Sequence, residues 1–196
     1  MEGKILSFVL FLLVMTGTPG PGNMAMLAIG QTSGFVSAVP FLIGATMGFA
    51  AVNALVACGL GEAFSIWPTT AQILRVLGGL YILYLAVKIL RMQAAPPDHA
   101  RRLRLFEGML IHPLSPKSWA MSVAAYSQFM PTGNVGPEVG AVFVFAFLVF
   151  QVTFHSLWCA AGAGIYAMLK NNRARLAINS CLVALMLGAT LYALAA

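Results

Sequence analysis

The amino-acid sequence predicts an all-α integral membrane protein of six transmembrane helices, arranged as a 3+3 inverted repeat with helices 1 and 4 broken at prolines. Three observations carry this expectation. First, 60% of the 196 residues are hydrophobic and only 8% are charged, where soluble domains carry roughly 25% charge. Mean hydropathy is +0.89, more apolar surface than a water-soluble fold of this size can hide. Second, apolar runs of the about 20 residues needed to cross a bilayer recur along the whole chain. Third, Pro19 and Pro21 interrupt the first run, and Pro113 and Pro116 interrupt the fourth. The chain therefore reads as a single transmembrane domain, residues 1–196.

The elements follow in order. Span 1 covers residues 5–31. Its start, MEGKILSFVLFLLVMTG, mimics a signal peptide, but no small-x-small cleavage site precedes the proline break and the apolar character continues beyond it, so it reads as a retained span. Span 2, residues 36–61, carries Gly44-x-x-x-Gly48, a pattern for close helix approach or a dimer face. Span 3 covers 69–91. The loop 92–105 is the one substantial polar connection, with Pro96, Pro97, Asp98 and three arginines. Spans 4, 5 and 6 cover 106–130, 139–166 and 175–196.

The net charge of +6 raises the question of a nucleic-acid partner. Lys88, Arg91, Arg101, Arg102 and Arg104 cluster around the connection between spans 3 and 4, and Lys170, Arg173 and Arg175 between spans 5 and 6. Basic residues in short loops between apolar runs set membrane orientation, so both loops are expected in the cytoplasm and both termini outside. No nucleic acid is expected; lipid is the surrounding partner. Glu62 and Glu107 lie near span ends and read as solvent-facing. Cys58, Cys159 and Cys181 all lie in apolar segments without metal-ligand spacing, so neither a disulfide, a metal nor a cofactor is expected.

The breaks carry the chemistry. Proline inside a helix removes a backbone hydrogen bond, and at membrane depth irregular backbone is tolerated only where it is buried in protein or lines a cavity. After Pro19, Gly20 and Pro21, span 1 resumes with Gly22, Asn23 and Met24 offering N–H groups at a half-helix start. Span 4 resumes at Ser115-Pro116, an N-cap residue followed by proline at the first helical position. Both starts carry partial positive charge, and Lys117 adds a full one. A bound anion resolves that conflict, so residues 20–24 and Ser115, Pro116, Lys117 and Ser118 read as a carboxylate site with Lys117 as counter-ion. The carbonyls of Thr16 and Gly17 are candidates to accept from an ammonium group. His112, His155, Asn53, Tyr126, Gln151 and Thr153 are candidates for polar lining, the two histidines also for proton coupling. Ordinary proline kinks and interhelical hydrogen bonds are the competing reading of the same residues.

These residues resemble the lysine-exporter (LysE/RhtB) family of bacterial amino-acid efflux proteins. The resemblance runs over nearly the whole chain. It rests on T-P-G-P followed by Asn23, on the glycine-spaced span 2 from Ser33 to Phe49, on LRVLGGLYILYLAVKILR from Leu74 to Arg91, and on Ser115-Pro116-Lys117 as an altered Asn-Pro-Lys pattern. The pattern departs from the family at Ser115 and at Gly22, where relatives commonly carry asparagine and a polar residue. The resemblance implies export of a small amino acid or derivative across the bacterial inner membrane, by proton antiport and often as a homodimer, nearest to the cysteine and O-acetylserine exporters.

Other classes fit less well. Metal-ion exporters of the same superfamily need clustered carboxylates or histidines, whereas the chain has five acids in all and a lysine at the presumed site. An intramembrane enzyme built on Ser115, Ser118, His112 and His155 lacks an acidic orienter or nucleophile motif. A non-transporting scaffold gains nothing from two broken helices.

Overall fold

The computed structural model describes residues 2–60, 68–94, 103–131, 136–168 and part of 174–188. The helices used below are, in order, α1 Glu2–Gly17, α2 Pro21–Ser33, α3 Phe35–Ala57, α4 Pro68–Ala94, α5 Leu105–Ile111, α6 Pro116–Phe129 and α7 Pro137–Met168. No strand occurs among the described residues.

Local chemistry explains the boundaries. α1 stops at Gly17 and α2 restarts with Pro21 at its first position, where the missing N–H costs nothing. The two helices meet at a 53° bend. Gly34 (φ +77°) joins α2 to α3, its N–H closing on the Gly30 carbonyl at 3.1 Å. The second predicted span is expected to run to residue 61, but the helix ends at Ala57. Gly59, at φ +88°, takes the left-handed conformation that terminates helices and that glycine adopts without strain.

Three helices among the described residues are long and apolar enough to cross a membrane: Phe35–Ala57, Gln72–Arg91 and Pro137–Ile165. A fourth crossing results if α1 and α2 form one bent span. The predicted fourth span, 106–130, is divided into α5 and α6, neither long enough alone. The predicted sixth span and the basic residues Arg101, Arg102, Lys170, Arg173 and Arg175 lie partly or wholly outside the described residues.

The surface is inverted relative to a soluble protein. Leu6, Leu10 and Val14 of α1, Ile43 and Met47 of α3, Leu77 and Leu80 of α4, and Val142 and Phe145 of α7 are all exposed. Meanwhile Asn23, Gln31, Asn53, Ser122, Gln151 and His155 are buried. An exposed apolar surface over a core that also buries polar side chains is the distribution of a multi-pass membrane protein.

In lipid, apolar contact between helices brings little gain over contact with acyl chains, so close backbone approach at small residues supplies the packing. α2 runs along α7 and α3 along α5. A Cβ on Gly30 would overlap the Cys159 carbonyl, one on Gly162 the Leu27 carbonyl, and one on Gly44 the Leu105 carbonyl. Gly44 and Gly48 therefore serve the contact with α5 inside the protomer, which decides between the two uses expected for the pair. Replacing Gly44 with Val is expected to destabilise the protein by about 1–3 kcal/mol, read as a lower thermal midpoint of the detergent-solubilised protein.

Two apolar clusters form. One gathers Met26, Phe41, Ile82, Leu85 and Ile111 with Cys159. The other gathers Leu12, Phe49, Met121, Phe143 and Phe147, with Phe143 and Phe147 edge-on at 5.0 Å. The two helix breaks lie between them, because Ile111 and Phe49, one from each cluster, line the same cavity.

Candidate functional site

Breaking a helix frees carbonyls, and each freed carbonyl at residues 16–18 has a side-chain partner. Asn23 Nδ2 donates to the carbonyls of Thr16 at 2.8 Å and Thr18 at 2.9 Å. Trp158 Nε1, from α7, donates to Gly17 at 3.2 Å. The carbonyls of Thr16 and Gly17, candidate acceptors for an ammonium group, are thus already engaged by the protein. At the second break, Trp119 Nε1 donates to the Pro113 carbonyl at 2.8 Å.

The half-helix starts differ in detail from expectation. The Met24 N–H is closed on the Gly20 carbonyl at 2.9 Å, so at this start only Gly22 and Asn23 lie ahead of the first intrahelical bond. Ser115 occupies the cap position of α6 with extended backbone, but its hydroxyl makes no capping bond. Its carbonyl instead accepts from the Ser118 N–H at 3.0 Å.

Lys117 joins the breaks. Its Nζ donates to the Thr18 hydroxyl at 2.9 Å and the Thr18 carbonyl at 3.3 Å, 99 residues away in sequence, and it lies 3.2 Å from where a Cβ on Gly20 would stand. Around this bridge is a partly open cleft. Of the residues singled out from sequence, Gly20, Pro21, Gly22, Asn23, Ser115, Lys117 and Ser118 line it, as do His112, Gln151 and His155.

Pro19 and Pro116 shape the turns without lining the cleft. Asn53 and Tyr126 also lie outside it. Asn53 accepts from the Ser122 hydroxyl at 2.9 Å and donates to the Phe49 carbonyl at 2.8 Å, which makes it a satisfied tie between α3 and α6. Tyr126 sits edge-on to Phe143 at 5.1 Å in the second apolar cluster. Thr153 bonds back to Val149 on its own helix. Thr18 was not singled out; its hydroxyl, immediately before the first proline, is the signal that marks it as a partner for a charge at the break.

The two histidines are packed together, ring centroids 5.4 Å apart. His112 Nδ1 pairs with Ser118 Oγ at 2.9 Å, and its ring lies 4.4 Å from that of Phe49. His155 Nδ1 pairs with the Gln151 carbonyl at 3.0 Å. A Cβ on Gly22 would stand 2.6 Å from His155 Nε2, so this position must lack a side chain for the histidine to sit where it does.

Glu107 departs from the solvent-facing reading. Only 9% of it is exposed. Its carboxylate pairs with Lys88 Nζ, accepts from the Arg104 N–H and accepts from Tyr84 Oη at 2.9 Å, and its carbonyl accepts from Tyr81 Oη. Lys88 is correspondingly not a free loop charge.

Compared with known proteins, residues 12–196 match the family model described as LysE type translocator. The chain belongs to this family. Cysteine/O-acetylserine efflux proteins of Salmonella typhimurium, Salmonella typhi and Salmonella paratyphi A are each 37% identical to it over 92 residues, which is 45% of this chain and 46% of the relative. The match thus spans about half the length of these curated relatives. No solved structure matches the chain. Within the translocator family, the cleft at the two helix breaks is the candidate site: it gathers buried polar groups from both breaks and from α7.

Proposed function

We propose that this LysE-family protein exports a small neutral amino acid, of the cysteine or O-acetylserine class, from the cytoplasm across the inner membrane. The observation that carries the reading is Lys117, a cation reaching from the start of α6 to the break between α1 and α2 in the cleft that both breaks line. The substrate carboxylate binds there, against Lys117 and the N-terminal ends of α2 and α6. A cation at this position opposes a metal-ion cargo.

The transport cycle is alternating access within six spans arranged as two inverted halves, with the basic loops in the cytoplasm. The exchange of helix partners supports the repeat: α1 and α2 of the first half pack on α7 of the second, while α5 and α6 of the second pack on α3 of the first. One half rocks on the other around the shared cleft, driven by proton antiport.

The test is efflux of labelled amino acids from vesicles containing the purified protein, with growth protection against toxic amino-acid analogues in cells. Cysteine and O-acetylserine are expected to leave loaded vesicles faster than from protein-free controls. Absence of efflux for every small neutral amino acid tried would end this reading.

A further inference from the structure

Among the described residues, six buried side-chain polar atoms lack any hydrogen-bond partner, and four of them line the one cleft: Asn23 Oδ1, His112 Nε2, Gln151 Nε2 and His155 Nε2. Leaving such groups unpaired is costly, so their convergence points to a ligand. Their hydrogen-bond character narrows its chemistry. Asn23 donates both bonds of its amide nitrogen to the carbonyls of Thr16 and Thr18, which orients its oxygen as a free acceptor. His155 Nδ1 faces the Gln151 carbonyl. A carbonyl only accepts, so Nδ1 carries the hydrogen and Nε2 of the neutral ring is a lone pair. Both side chains are 4% exposed. Two buried acceptors in one cleft are matched by a donor on the ligand, and Lys117 is already engaged by Thr18; on a zwitterion that donor is the ammonium group.

We infer that Asn23 Oδ1 and His155 Nε2 receive the ammonium group of the exported amino acid, and that a proton competes with that ammonium for Nε2. This deepens the proposed function and rests on it, since the carboxylate of the same molecule occupies Lys117. His155 stands against Gly22 of α2 and His112 at the end of α5, and shares the cleft lining with Asn23 of α2 and Lys117 of α6. Nε2 of the neutral ring has a single lone pair, which either accepts from an ammonium or holds a proton. Ammonium and imidazolium are therefore mutually exclusive. Open to the outside, the site takes a proton on Nε2 and releases the ammonium. Open to the cytoplasm, an incoming amino acid displaces that proton. One proton enters for each zwitterion that leaves, and one positive charge moves inward per cycle.

The experiment uses the full chain in proteoliposomes and measures exchange of labelled O-acetylserine against pH. Half-saturation is expected to rise by roughly tenfold per pH unit once His155 protonates, because only the neutral fraction binds. Inhibition by 3-acetoxypropionate, the same molecule without its amine, is expected not to weaken with acid. His155→Gln, which keeps an acceptor but cannot titrate, is expected to slow exchange several-fold, to make it independent of pH and to abolish proton-driven accumulation. Equal acid dependence for substrate and amine-free inhibitor in the wild-type protein overturns the inference, as does unaltered pH dependence in His155→Gln. If the variant does not fold, the wild-type comparison decides alone. If no amino acid is exchanged at any pH, the failure lies with the proposed function instead.

Discussion

Lys117→Ala is expected to raise the half-saturation concentration for efflux by roughly 10- to 100-fold, corresponding to the loss of one charge-assisted hydrogen bond, with little change in the thermal midpoint of the purified protein. Lys117→Arg, which keeps the charge on a different fork, is expected to fall between. The competing account is structural: Lys117 merely staples the start of α6 to the break after α1. Its observed bonds, to the Thr18 hydroxyl and carbonyl, are those of a staple. Thr18→Val separates the two. It removes the shorter of these bonds and leaves the ammonium in place. If Lys117 is only a staple, Thr18→Val reproduces the defect of Lys117→Ala. If Lys117 is the counter-ion, Thr18→Val transports with near-normal half-saturation, because the substrate carboxylate replaces the lost partner. Normal efflux in Lys117→Ala would remove the counter-ion role altogether.

The readable part of this architecture is the part set by local backbone chemistry. Proline and glycine at 19–22 and 113–116 interrupt helices whatever surrounds them, and a lysine within an apolar run stands out by its desolvation cost alone. The spacing of Gly44 and Gly48 likewise announced a close contact. What escaped depends on helix rotation and on partners far along the chain. Asn53 and Tyr126 have the right polarity on the right spans, but rotation turns one toward Ser122 and the other toward Phe143. Gly22 stands out in sequence only as an N–H donor and a departure from the family pattern; its steric reason is a histidine on α7, 133 positions on. Glu107 departs from its expected place for the same cause. Proximity to a span end suggests water, yet its partners Lys88, Tyr84 and Tyr81 come from α4.

That buried pair carries the second large effect. Lys88 and Glu107 join α4 to α5 with side chains only 16% and 12% exposed. Removing one member leaves the other charge uncompensated in a poorly solvated setting, which costs about 3–5 kcal/mol in such pairs. Glu107→Ala should cost at least as much as Lys88→Met, because it also frees Tyr84 Oη and the Arg104 N–H. The double variant Lys88→Met with Glu107→Met is expected to recover most of the loss, since replacing both charges with apolar groups is often nearly neutral. Unfolding of the four proteins in detergent gives the coupling as a double-mutant cycle. A large favourable coupling means the pair is needed as a pair, a charge lock holding α5, and with it His112 and the second break, against α4. If the double variant instead loses the sum of the single losses, the two residues act independently. The stability at this junction would then come from the tyrosine bonds to Glu107 and from Gly78, where α4 meets the Leu114 carbonyl.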